Sequence, residues 1–218
     1  MPTPSAPQLG PGPGPELAPA PRTVAALFVQ SRGCYADEPG VELWDERRDA
    51  RTYPGPHPVV AHPPCARWSR LAPLVQSRWG HAIGDDEGCF EAALAAVRRW
   101  GRVIEHPAYS RAWVRFGLPT PQPFGWQRDL EGGWSCYVEQ EAYGYRAKKA
   151  TWLYAHGLEP FALRWTYTPD KPSAVLVSWC NNRTLDPDRP RLSRRLAAAT
   201  PPAFRDELLR LARSVRAA

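Results

Sequence analysis

Two short apolar runs that each end in polar residues and proline constrain this chain most. Val59-Val60-Ala61 leads into His62-Pro63-Pro64-Cys65, and Val103-Ile104 leads into Glu105-His106-Pro107. β-Branched residues favour a buried strand, and proline ends one because it cannot donate to a ladder. Between the runs, Asp85-Asp86 offers a helix N-cap. Phe90, Ala93, Leu94 and Val97 then recur at helical spacing, with Trp100 one turn on and Gly101 as the stop. Arg98 and Arg99 near that end suit the helix dipole. Strand, helix and strand make a right-handed βαβ unit with parallel strands. Cys65 and Glu105 therefore fall on one carboxyl edge, where open α/β sheets bind their ligands.

The rest of the chain supplies further strands around that unit. Val24 to Val29 is a fully apolar run, and Cys34-Tyr35 and Val41 to Trp44 read as short strands between the turns at Gly33 and Pro39-Gly40. No amphipathic helix fits in that interval. Tyr109 to Phe116 reads as a short helix closed by Gly117, and Trp134 to Glu139 and Thr151 to Tyr154 as strands. The stretch from Cys65 to Gly84 reads as loop. Thr200 and Pro201 open a last helix whose stripe is Phe204, Leu208, Leu211 and Val215. The expectation is one α/β, Rossmann-like domain over residues 23–218, with flanking helices and an irregular insertion at 158–192. Residues 1–22, with eight prolines and little aliphatic bulk, read as a disordered tail.

Composition narrows the class. A length of 218 residues suits one sizeable core. No apolar run approaches the roughly 20 residues that span a bilayer, and no signal peptide is visible. Five unpaired-looking cysteines point to a reducing, cytoplasmic setting. The net charge of +6 is compatible with a polyanion such as nucleic acid.

Two readings stand for Cys65: a nucleophile on a rigid loop, or a small hydrophobe under it. Two also stand for Glu105, a surface carboxylate or a partner to that thiol. Pro63-Pro64-Cys65, Glu105-His106-Pro107, Tyr143-Gly144 with Lys148 and Lys149, and Thr200-Pro201-Pro202, in that order over about residues 24–213, together resemble the motifs of the cytosine-C5 DNA methyltransferase family, particularly short methylase-like proteins of bacteriophages. Pro63-Pro64-Cys65-Ala66-Arg67-Trp68-Ser69 is similar to its Pro-Pro-Cys-x-x-x-Ser loop, and Glu105-His106-Pro107 resembles its Glu-Asn-Val or Glu-Asn-Pro motif. Tyr143-Gly144 with Lys148 and Lys149 resembles the Tyr-Gly…Gln-x-Arg-x-Arg segment, and Thr200-Pro201-Pro202 the closing Asn-x-Val-Pro-Pro segment.

The resemblance implies a methyltransferase-type sheet and a reaction. A thiolate adds at carbon 6 of a pyrimidine, carbon 5 becomes enolate-like and attacks an electrophile, and loss of a proton and the thiol follows. It implies Cys65 as the thiolate and Glu105 as the acid at ring nitrogen 3. Pro64, Arg67, Trp68, Ser69, His106, Tyr143, Arg146 and Lys149 follow as substrate-binding, with Trp68 and Tyr143 either supporting a flipped base or simply filling core. Arg67, His62 or Arg146 would lower the thiol from its free value of about 8.5. It implies S-adenosylmethionine as cofactor, held by Phe28, Glu42 and Asp49, and DNA or a pyrimidine nucleotide as partner. No metal is expected.

The sequence also departs from that family. Phe28-Val29-Gln30-Ser31-Arg32-Gly33 lacks the Phe-x-Gly-x-Gly glycines that let backbone approach a cofactor. Fewer than fifteen residues lie between Phe28 and Glu42. Residues 158–192 are short for a DNA-reading domain, so a partner subunit could supply target recognition. The competing class is a non-catalytic module that binds nucleic acid, and another is a transferase using a different donor. A zinc deaminase is excluded, because it requires His-x-Glu and Pro-Cys-x-x-Cys. A structural zinc on His62, Cys65 and Cys89 matches no common spacing.

Overall fold

A computed structural model describes residues 21–165, 175–176 and 190–214. Most of the proline-rich tail, most of the 158–192 insertion and Val215 lie outside those residues. Seven strands form one mixed sheet: β1 (Val24–Leu27), β2 (Val41–Trp44), β3 (Val59–Ala61), β4 (Arg102–Pro107), β5 (Trp126–Arg128), β6 (Gly133–Glu139) and β7 (Ala150–His156). Their order is β2-β1-β3-β4-β7-β6-β5. The first four in that order are parallel; β7, β6 and β5 alternate in direction after them.

The expected βαβ unit is present. β3 pairs with β4 in the register Val59↔Arg102, Val60↔Val103, Ala61↔Ile104. Its crossover carries α2 (Cys89–Trp100), with Phe90, Ala93, Leu94 and Val97 buried. The helix starts later than the Asp85-Asp86 signal implies, after Gly88 at φ 76°. Asp86 still caps it, accepting from the Phe90 amide at 2.8 Å. One helix lacked a visible stripe: α1 (Ala72–Trp79) buries only Ala72, so the Cys65–Gly84 stretch read as loop from its pattern.

Alternation along the strands divides the core into two layers. Ala25, Leu27, Val59, Ala61 and Ile104 face α2. Val24, Ala26, Val60 and Val103 face the C-terminal helix α5 (Pro202–Arg213), which buries Phe204, Leu208, Leu209, Leu211 and Ala212. α3 (Arg111–Arg115) follows β4, with Ser110 as its cap. α4 (Arg194–Ala198) precedes α5, beside a two-residue parallel pairing of β8 (Val175–Leu176) with β9 (Arg191–Leu192).

The β1–β2 link has no helix, as its length dictated, and α5 covers the face above it. Arg205 donates to the Cys34 carbonyl at 2.8 Å and pairs with Glu38, while Arg213 donates to the Pro39 carbonyl at 2.6 Å. Cys34 and Tyr35 lie in turns rather than a strand, which corrects the sequence expectation. The Cys34 carbonyl is tied to α5, and the Tyr35 carbonyl accepts from the Glu38 amide within the turn, so neither pairs with a sheet neighbour. No helix among the described residues is long and apolar enough to cross a membrane.

The chain leaves β1 for β2 on one side, then returns to place β3 on the other. Connections diverge from the carboxyl ends of β1 and β3, which opens the crevice typical of a topological switch point. The Cys65 loop stands at that crevice.

Candidate active site

β3 and β4 deliver two side chains to the same place. Ala61 pairs with Ile104, so His62 and Glu105 follow side by side on the α5 face. His62 Nδ1 lies 3.0 Å from Glu105 Oε2, and His62 Nε2 lies 2.9 Å from the Tyr35 hydroxyl. Both ring nitrogens are thus hydrogen-bonded, Nδ1 to the carboxylate and Nε2 to the phenol. On the other carboxylate oxygen, the Gln140 amide donates to Glu105 Oε1 at 3.0 Å and to Thr151 Oγ1 at 3.0 Å. The Thr151 hydroxyl donates to the Lys149 carbonyl at 3.0 Å and lies 3.5 Å from Glu105 Oε1. Glu105, Gln140, Thr151 and Tyr35 are all buried.

Burial alone would raise the Glu105 carboxyl. The hydrogen bond and charge of His62, with Lys149 and His106 behind them, outweigh it and hold Glu105 at about 2. Glu105 is thus an acceptor at neutral pH. It can take a base N–H, whereas protonating ring nitrogen 3 requires a proton delivered with the substrate.

Cys65 is partly buried on the loop after β3, and the Trp68 and Ser69 amides both donate to its carbonyl. Ser69 Oγ accepts from the Leu71 amide and shapes the same turn. Burial pushes the thiol up, and the Glu105 charge adds to this; a backbone hydrogen bond and Lys149 oppose them. The nearby cation is Lys149. Burial lowers its ammonium, while Glu105, Cys65 and Cys34 pull it back up. Its Nζ donates to the Ala199 carbonyl at 2.6 Å, and its backbone sits at φ 32°. A non-glycine residue held there is strained, as positions at functional sites often are.

The other residues singled out by the sequence divide cleanly. Pro64 and Arg146 are exposed, and Arg67 is partly exposed beside Cys65. Trp68 and Tyr143 do not present faces to a base. Trp68 is buried against Phe90 and Phe116, with its indole N–H donated to Asp86 at 2.7 Å. Tyr143 packs on Phe204 under α5, and its hydroxyl accepts from the Arg164 amide. His106 also leaves the substrate set, because alternation turns it to the α2 face, fully buried between Phe90 and Trp113. Burial drives that imidazole down to about 4 against the pull of Glu105 and the Pro64 backbone, so it is neutral.

The cofactor side is arranged differently. Phe28 ends β1 at φ 58°, its amide donated to the Trp44 carbonyl. Glu42 pairs in register with Ala25, two residues short of the carboxyl edge, and binds Arg48 at 2.8 Å. Asp49 has both oxygens on Arg51, at 2.8 and 3.0 Å. These residues do not assemble a site for S-adenosylmethionine: one carboxylate is off the edge and the other is fully engaged. Among the described residues no group of three metal-ligating side chains occurs, and both nitrogens of His62 are already bonded.

Tyr35, Gln140 and Thr151 are site residues that sequence reasoning missed. Tyr35 stands 27 positions from His62, and Gln140 and Thr151 stand 35 and 46 from Glu105, so no local pattern marks them. No protein-family model matches the chain, and no curated protein matches it.

Proposed function

We propose that this chain modifies carbon 5 of a pyrimidine, with cytosine in DNA as its substrate, through a Cys65 thiolate adduct. The observation that supports this reading is that the Cys65 loop leaves β3 beside the strand carrying a buried, ionised Glu105, at a switch point and near enough for that charge to act on the thiol. The strand order and the covered sheet support a methyltransferase-like frame. Cys65 adds to carbon 6, Lys149 supplies local positive charge to the thiolate, and Glu105 receives ring or amino N–H groups. Tyr35 and His62 hold Glu105 in place. Carbon 5 then attacks the electrophilic carbon of an alkylating donor, whose leaving group departs with the bonding pair. A base such as water takes the carbon-5 proton, and the electrons of that C–H bond restore the 5,6 double bond as the Cys65 thiolate leaves carbon 6.

The donor is an electrophilic alkylating molecule, and Phe28, Glu42 and Asp49 do not converge on a site shaped for S-adenosylmethionine. That misfit favours a second reading, a catalytically altered module that binds nucleic acid without transferring a group. Nucleoside composition of host DNA, with and without the protein expressed, separates the two. A new carbon-5 substituent that disappears with Cys65→Ala supports the enzyme, and unchanged DNA supports the module. Mass spectrometry after incubation with a 5-fluorocytosine oligonucleotide gives a second test: an adduct on wild type that Cys65→Ala retains would contradict Cys65 as nucleophile.

A further inference from the structure

Beyond Cys65 and Glu105, the same edge carries an unusual charge distribution. Residues 62–84 and 106–128 together hold six arginines and no carboxylate. The fold joins these two segments. The Arg111 amide donates to the Trp68 carbonyl at 2.8 Å, and Arg70 places its guanidinium 5.1 Å from the Tyr109 ring centroid. Among the described residues, no carboxylate pairs with Arg67, Arg70, Arg111 or Arg115.

Tyr109 is the second observation. It lies four residues beyond Glu105, just past the end of β4, and 54% of it is exposed. Its backbone is at φ 65°, a left-handed conformation that a tyrosine rarely adopts. Trp152 supports the ring from one side at 5.3 Å between centroids. An exposed aromatic backed by the core, with a guanidinium over it and further arginines beside it, suits unstacked bases threaded along a cationic path. Bases inside a duplex are stacked on each other and cannot use such a platform.

We propose that the Arg70–Tyr109 surface, flanked by Arg67, Arg111 and Arg115, binds single-stranded DNA and leads it to the Cys65 loop. This deepens the pyrimidine reading and rests on it for the choice of DNA. The surface itself offers guanidinium donors and an aromatic face, and a guanidinium has no acceptor for a 2′-hydroxyl.

Fluorescence anisotropy of the full chain with a labelled mixed-sequence single strand, its duplex and the same RNA sequence tests this. Single-stranded DNA should bind at least tenfold tighter than duplex. Tyr109→Ala should weaken it about tenfold with an unchanged salt slope. Arg70→Ala and Arg111→Ala should each lower the log–log salt slope by about 0.7. Arg99→Ala, at the opposite edge on Trp100, should change nothing. Equal affinity for duplex, insensitivity to Tyr109 and Arg70, or no binding overturns the proposal, and tighter binding of RNA overturns its commitment to DNA. Because the readout is binding, intact single-strand binding by a protein that leaves cytosine unmodified would overturn only the chemistry assigned to Cys65.

Discussion

Glu105 and Asp49 are both carboxylates held below their usual range by a neighbouring base, yet they serve the molecule differently. Asp49 is bound by Arg51, two residues away, on an open turn. Glu105 is bound by His62 and Gln140, which come from 43 and 35 positions away, inside the sheet. Solvent screens the first pair, and its loss frees groups that water can satisfy. The second is set where water cannot replace a missing partner. The thiol half of the carboxyl edge is therefore built by long-range burial, and the proposed cofactor half by local surface pairing.

The largest effect should follow Glu105→Ala. It leaves the His62 and Gln140 donors buried without their acceptor, and urea denaturation should show a loss of about 3–5 kcal/mol. A loss no greater than that of a surface substitution would erase the contrast.

Acid should separate the regions next. Glu105 titrates at about 2 when folded, against about 4.3 unfolded, so its stabilisation is complete above pH 4.3 and fades as pH falls towards 2. His106 adds loss at a higher range: it titrates at about 4 folded and about 6.5 unfolded, so protonation of the unfolded chain erodes stability as pH falls from 6.5 towards 4. Each contribution is on the order of 3 kcal/mol. Thermal melts from pH 7 to 2 should therefore show two falling stages, and Glu105→Gln should remove only the lower one.

His62→Gln is expected to cost less, about 1–3 kcal/mol, because Gln140 still donates to the carboxylate. A ¹³C-carboxyl titration of that variant should show Glu105 moved upward. Asp49→Asn comes last, with a melting temperature indistinguishable from wild type. A clear drop there would show the Arg51 pair to be structural.

Much of the thiol half was legible because its parts are local signals joined by one topological rule. Val59-Val60 before Pro63-Pro64, the stripe of α2 and Val103-Ile104 before Glu105 sufficed to pair β3 with β4 and set the Cys65 loop and Glu105 at one carboxyl edge. The same rule could not say which way neighbours point. His106 follows Glu105 directly, so the strand sends it to the opposite face, where Phe90 and Trp113 enclose it. Trp68 and Tyr143 had the chemistry of base-stacking residues but also that of core, and only packing distinguishes them. Tyr35 was invisible because α5, at the far end of the chain, fixes its turn through Arg205. The register of Glu42, opposite Ala25 and two residues short of the end of β2, has no signature in the local sequence.

The central claim is that Cys65 adds to carbon 6 of the pyrimidine ring, and exchange at carbon 5 tests it without any donor. In heavy water, a cytosine-containing single strand incubated with the protein should gain deuterium at carbon 5, because addition of the thiolate makes that carbon basic. Cys65→Ala should abolish the exchange while the strand still binds. Exchange that persists in Cys65→Ala, or no exchange by wild-type protein saturated with the strand, would contradict the account.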